Sequence, residues 1–469
     1  MYSIAKKTAI FKKTAALLSL AFLLFCEGAE AGGRYVFLFI GDGMGTAQRN
    51  AAEVYLGEAR RMSGDDTPRK SQLVMNSLGQ EGTVSTNSLS GVTDSAAAGT
   101  ALAAGRKTVN GAVGMDPKTG EKFASIARAA RDMGMKVGIV STVFLQDATP
   151  AAFYGHAAKR TDHYGLGLQL TDSGFEYFGG GGFIRPAGRD KNRRDLYEAA
   201  SSKGYEVIKG VEGASSGKVM AVHPKLSGGT MPWAIDGAGG PSLADFTDLG
   251  VRLLEGESGF FMMIEGGKID LACHANDAAA AVHEVIELDK AVARAVEFMR
   301  RRPDDTLIIV TSDHETGGMI FDAKGASGAD LYRTIAGRRG SYAAFERKIS
   351  PKSGAKIDQY LEMARLHFGN TVTGTPSVQK AFRLSMTARA RRESMEPDYK
   401  KLYGPYDPFT MACVKESDAS GGIAWTTYYH TGKDVPISAA GAGTDFSGEL
   451  DNTELFEKIK TFMEGSSIR

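Results

Sequence analysis

Acidic and imidazole side chains stand directly behind short apolar runs at four places in this sequence. Asp42 follows Tyr35 to Ile40, and Asp147 comes soon after Lys136 to Val140. Glu265 ends Phe260 to Ile264, and Asp313-His314 follow Thr306 to Val310. Carboxylates that converge repel one another unless cations neutralise them, so a polyvalent metal site is the economical chemistry for this set. Asp270 and His274 have the i, i+4 spacing that puts both on one side of a helical turn, where they can share an ion. The same spacing also suits an ordinary surface helix. His430, in Tyr-Tyr-His-Thr-Gly, precedes a strand-like Val435-Pro436-Ile437 and reads either as a ligand or as a satisfied structural histidine. Mixed oxygen and nitrogen donors suit zinc, and oxygen-only positions suit magnesium.

A nucleophile candidate is Ser95, in Gly91-Val-Thr-Asp-Ser-Ala-Ala-Ala-Gly99. The alanine-rich run to Ala104 is helical by propensity, and Asp94 or Thr93 can cap it. Ser95 then lies in the first turn, where free N–H groups and the helix dipole favour an anion. The competing reading is a plain N-terminal capping serine. No Gly-x-Ser-x-Gly elbow occurs, so activation by metal fits better than a Ser-His-Asp triad.

These residues need elements that bring them together. Short continuous apolar runs bounded by turn signals read as buried parallel strands. Helical patterns separate them, over Phe123 to Met133 and most clearly over Asp277 to Arg302. Strand–helix alternation predicts an open, mostly parallel sheet with helices on both faces, and ligands then sit outside the carboxyl ends of the strands. Gly318 to Tyr428 differs in being helical and charged, and is expected to be an insertion or cap of about 319–428 within one catalytic domain, 32–469.

The chain has 469 residues and a formal net charge of +1, which gives no global reason to expect nucleic acid as a specific partner. Lys6, Lys7, Lys12 and Lys13, the apolar Ala15 to Phe25, and Ala29-Glu30-Ala31 predict a cleavable signal peptide over 1–31. A periplasmic or secreted protein is expected, with no membrane attachment after processing. Of three cysteines one lies in that leader, and Cys273 and Cys413 are left as a candidate disulfide pair.

In order along the chain come Ile-Gly-Asp-Gly-Met-Gly (40–45), Val-Thr-Asp-Ser-Ala (92–96), Ala-Gly-Arg-Lys-Thr-Val-Asn-Gly (104–111) and Leu-Gln-Asp-Ala-Thr-Pro-Ala (145–151). Phe-Gly-Gly-Gly-Gly (178–182), Glu-Gly-Gly-Lys-Ile-Asp (265–270), Ser-Asp-His-Glu-Thr-Gly-Gly (312–318) and His-Thr-Gly (430–432) follow. This ordered set resembles the alkaline phosphatase family across most of the mature chain. The resemblance implies a three-layer α/β/α fold with a large, mostly parallel central sheet and a helical crown-type insertion. It implies hydrolysis of small-molecule phosphate monoesters through a phosphoserine intermediate on Ser95, with Arg160 at the phosphate-clamping position. It also implies two Zn2+ and one Mg2+. One zinc would be held by Asp270, His274 and His430, the other by Asp313, His314 and Asp42 with Ser95. Magnesium would be held by Asp42, Thr149 and Glu265, with Asp147 orienting its waters. Leu271 stands where some relatives carry a basic or aromatic residue beside the phosphate. The looser match over 319–428 leaves a homodimer open. A sulfatase-like rival would need a Cys/Ser-x-Pro-x-Arg context, which the residues around Ser95 lack, and a non-catalytic binding protein would tolerate missing ligands, yet every expected position is filled.

Overall fold

The computed structural model describes residues 33–465 apart from 68, 70, 215–216, 322–324, 350–355, 392–398, 400–401 and 442. The leader expected over 1–31 lies outside the described residues. Strands follow in chain order as β1 (Tyr35–Ile40), β2 (Gln80–Ser85), β3 (Lys136–Ser141), β4 (Tyr177–Gly180), β5 (Tyr205–Lys209), β6 (Lys218–Val222) and β7 (Phe260–Glu265). After them come β8 (Thr306–Thr311), β9 (Glu315–Thr316), β10 (Met319–Phe321), β11 (Ile423–Trp425), β12 (His430–Thr431), β13 (Val435–Ala440) and β14 (Gly448–Asp451).

Ten of these form one sheet in the order β14-β2-β13-β8-β1-β7-β3-β4-β6-β5. Every pairing is parallel except those of β13, which runs antiparallel to β2 and β8. The four apolar runs that precede the acidic residues are the four central strands, β8, β1, β7 and β3. Being covered on both faces, they show no polar alternation.

The pleat of β1 shows the layering. Val36, Leu38 and Ile40 point into one core with the helices Ser95–Ala104, Ile126–Asp132 and Glu454–Met463. Tyr35, Phe37 and Phe39 point into the other, with Thr46–Met62, Leu243–Leu254 and Ala278–Arg301. The result is the expected three-layer α/β/α arrangement. The helix expected from Phe123 begins only at Ile126, because the Ser125 hydroxyl accepts from the Arg128 N–H and fixes the start. The longest helix starts where expected, with Asp277 capping the Ala280 N–H.

The stretch after β10 is mainly helical and carries its own core of Phe345, Tyr360, Phe368, Phe382 and Phe409. It docks through Arg338, which lies 2.7 Å from Asp277 and 3.5 Å from Asp418, all three side chains buried. Cys273 and Cys413 are both buried and free. They sit in different cores, one under the central sheet and one inside the insertion, so no disulfide joins them.

Candidate active site

Asp42, Glu265, Asp313 and His314 all emerge at the carboxyl ends of adjacent central strands, so the parallel register delivers them to one place. Ile40 pairs with Glu265 and with Thr311, and Ser141 pairs with Glu265 on the other side. The Ser141 hydroxyl donates to Glu265 Oε2 at 2.5 Å. Gly43 follows Asp42 with φ +72°, and a Cβ there would come within 2.9 Å of Asp270 Oδ1 and Thr316 Oγ1. Only glycine tolerates both that conformation and that approach. Its N–H donates to Asp313 Oδ1 at 3.2 Å, locking the two strand ends together. Thr149, in the short helix Ala148–Ala151, reaches Asp42 Oδ2 at 3.3 Å and Asp313 Oδ2 at 3.5 Å.

The histidines are oriented by partners that settle their tautomers. His274 Nδ1 lies 2.6 Å from the Tyr428 carbonyl, and His430 Nδ1 lies 2.9 Å from the Thr93 carbonyl. A carbonyl only accepts, so each Nδ1 carries a proton, and each Nε2, once deprotonated, is the atom left to meet an ion. Those two Nε2 atoms face each other at 3.2 Å. Asp270 adds Oδ2 at 3.3 Å from His274 Nε2 and Oδ1 at 3.7 Å from His430 Nε2. Three acceptors aimed at one point repel unless a positive charge stands among them. Burial opposes charge on His274, yet Asp270 outweighs it and pushes the imidazole up to about 9.

Beside this group lies a second. Donor atoms of Asp42, Asp313 and His314 all fall within 4.8 Å of one another, and so do those of Asp270, His314 and His430. His314 Nε2 is 3.2 Å from Asp313 Oδ2 and 3.5 Å from Asp42 Oδ1. Its ring stacks on that of His430 at 3.6 Å between centroids. Burial first, then Asp313 and Asp270, raises the Asp42 carboxyl well above its ordinary range. Burial and then Asp270 push Asp313 up to about 7. Asp42 Oδ1 and Glu265 Oε1 are buried with no hydrogen-bond donor, although Asp42 is close enough to Glu265 for their charges to interact. A cluster that cannot ionise alone and offers orphaned oxygens fits bound cations.

Ser95 borders the second group, its Oγ 3.1 Å from His314 Nε2. It opens the helix Ser95–Ala104 as expected, and Asp94 is the cap, accepting from the Ala97 N–H. Arg160 spans two carboxylates, with Nη1 3.2 Å from Asp94 and Nη2 3.1 Å from Asp147. Asp147 also caps Ala148, so its carboxylate is joined to Arg160 and not to either three-residue donor group. All eleven residues singled out from the sequence thus lie around one site, with Asp147 at its edge.

Sequence reasoning passed over Thr316 and Ser141, and read Asp94 only as a helix cap and not as a partner of Arg160. Thr316 stands two residues beyond His314 on an extended segment, which puts both on one face. Ser141 ends β3 in register with Glu265, and its hydroxyl covers that carboxylate. Neither hydroxyl carries a metal-ligand signature of its own.

A family model for alkaline phosphatase matches residues 33–168 and 184–464. Alkaline phosphatase 4 of Bacillus subtilis is 30% identical over 445 residues, covering 91% of this chain and 89% of that protein. The crystal structure of Thermus thermophilus alkaline phosphatase superposes with a TM-score of 0.78 at 29% identity, covering 93% of this chain and 92% of that one. The cold-active enzyme from a Shewanella species gives a TM-score of 0.75 at 29% identity, covering 92% and 99%. The chain belongs to the alkaline phosphatase family.

Proposed function

We propose that Ser95 is the group that takes up the phosphoryl in this protein's reaction. The protein hydrolyses phosphate monoesters through a phosphoserine, and Ser95 is the hydroxyl at the meeting point of the donor clusters. In the first step the Ser95 Oγ–P bond forms as the P–O bond to the alcohol breaks, and the alcohol leaves with a proton. In the second, water attacks the phosphoserine, releasing inorganic phosphate and restoring the hydroxyl.

The chain's own groups prepare both steps. The first turn of Ser95–Ala104 presents N–H groups and a positive dipole end to the phosphoryl oxygens. Arg160 offers a planar fork to two of those oxygens, and Asp94 with Asp147 holds that plane in one orientation. Asp270, His274 and His430 would hold one zinc, and Asp42, Asp313 and His314 a second next to Ser95. Asp42, Thr149 and Glu265 would hold magnesium, with Asp147 toward its waters. Bound there, these ions would supply Lewis acidity and positive charge for the attacking and leaving oxygens. The separate core of the insertion, docked by Arg338, supports reading 32–469 as one catalytic domain carrying a cap.

The leader-like residues 1–31 support export to the periplasm or medium, and among the described residues no helix is long and apolar enough to cross a membrane. N-terminal sequencing of the exported protein is expected to start at Gly32. The observation that carries the functional reading is the placement of Ser95 Oγ 3.1 Å from His314 Nε2. Acid-quenching turnover of a 32P-labelled monoester and mapping the label tests it. Label on the Ser95 peptide, lost in Ser95→Ala, is expected; label elsewhere overturns the assignment. An aryl phosphate should also be turned over much faster than its methyl diester.

A further inference from the structure

One hydroxyl touches both donor clusters. Thr316 Oγ1 donates to Asp270 Oδ1 at 2.5 Å and lies 3.2 Å from His314 Nδ1. A threonine has a single O–H proton, and the carboxylate can only accept it. The oxygen lone pair is then the acceptor for His314 Nδ1–H, which leaves His314 Nε2 as the donor atom turned toward Ser95, Asp42 and Asp313. In the two-zinc reading Asp270 belongs to one ion site and His314 to the other. Reversing either bond is not open to this hydroxyl, so the orientation of the carboxylate and that of the imidazole are set together.

The backbone of Thr316 strengthens the link. Its N–H donates to the Gly43 carbonyl at 3.2 Å, one residue from Asp42. In the β9–β12 pair it stands directly opposite His430. Its side chain is fully buried, and the Cβ-free Gly43 leaves the room it occupies. Four ligands of two clusters, Asp42, Asp270, His314 and His430, are therefore tied to this one residue.

We propose that Thr316 is a positioning residue that couples the two zinc sites, so that filling either cluster favours filling the other. The inference rests on the two-zinc reading of the site. An ion among Asp270, His274 and His430 pins the Asp270 carboxylate, which pins the hydroxyl, which holds His314 in the tautomer the neighbouring ion needs. By reciprocity the second ion aids the first to the same extent.

The test is zinc titration of chelator-stripped protein against a competing indicator, with folding of each apo variant checked by circular dichroism. Wild type is expected to take up two zinc ions in a steep isotherm with a Hill coefficient above one. Thr316→Val, which keeps the shape and removes the hydroxyl, should bind zinc about 10–100-fold more weakly, as is typical on losing such an outer partner, with the Hill coefficient falling to about one. Thr316→Ser should restore both. If Thr316→Val does not fold, Thr316→Ala is compared with Thr316→Ser in the same way. An unchanged isotherm in Val or Ala, or a loss in Ser as large as in Val, overturns the proposal. Failure of wild type to bind two zinc ions would instead sink the two-zinc reading itself.

Discussion

His274 and His430 face each other Nε2 to Nε2 across 3.2 Å, each with its Nδ1 proton committed to a backbone carbonyl. Two imidazoles so arranged, with Asp270 beside both, are a candidate ion site whose shape is held by bonds outside it. An ion bound there, and not to the unfolded chain, would add to stability as well as to reactivity.

Stripping the protein with a chelator should therefore lower its thermal midpoint and abolish turnover together. A ligand at 100 times its dissociation constant stabilises the fold by about 2.7 kcal/mol per site. Calorimetry with and without chelator should show a fall of several degrees, reversed by zinc with magnesium. An unchanged midpoint would contradict the site.

Arg160→Lys should not be conservative. A lysine cannot give two parallel N–H bonds to a phosphoryl group, and hydrogen bonds to charged groups contribute about 1.5–3 kcal/mol. A loss of roughly 10- to 100-fold in kcat/KM is expected, with zinc content unchanged in elemental analysis.

Gly43→Ala should weaken fold and site at once. The new Cβ at φ +72° would press on Asp270 and Thr316, and such strain costs on the order of 1–3 kcal/mol. The expected readout is a lower midpoint in the metal-loaded protein, with zinc released at lower chelator concentration than from wild type.

Asp418 gives the insertion a pH dependence distinct from that of the active site. Burial, against the pull of Arg338 and helped by Asp277, pushes its carboxyl up to about 7, above the value of about 3.9 expected when unfolded. Between those values the folded state holds the proton more tightly, so this group's contribution to stability declines as pH rises from about 4 through 7. Asp418→Asn removes the titration. The midpoint difference, variant minus wild type, should move in the variant's favour between pH 5 and pH 8; a difference independent of pH would refute it.

Much of this architecture was legible because buried parallel strands announce themselves. The runs at Tyr35, Lys136, Phe260 and Thr306 are apolar on both faces, and acids placed just beyond them have one common destination. Asp94 and Asp277 mark helix starts by a chemistry visible in the sequence alone. β2 was not legible: Gln80–Ser85 is polar and only Val84 is buried, so neither a continuous run nor a clean alternation marks it. The reversed direction of β13 was equally hidden, since a strand's sense depends on how the chain returns from the insertion. Thr316 escaped notice because a hydroxyl becomes informative only once its two partners are located in space.

Acids and imidazoles far apart in the chain are expected to gather cations next to Ser95. Elemental analysis of protein purified without chelators, joined to anomalous diffraction at the zinc edge, tests it most directly. Two zinc peaks are expected, one among Asp270, His274 and His430 and one among Asp42, Asp313 and His314. A fully active enzyme with no bound metal, or zinc bound only elsewhere, would contradict it.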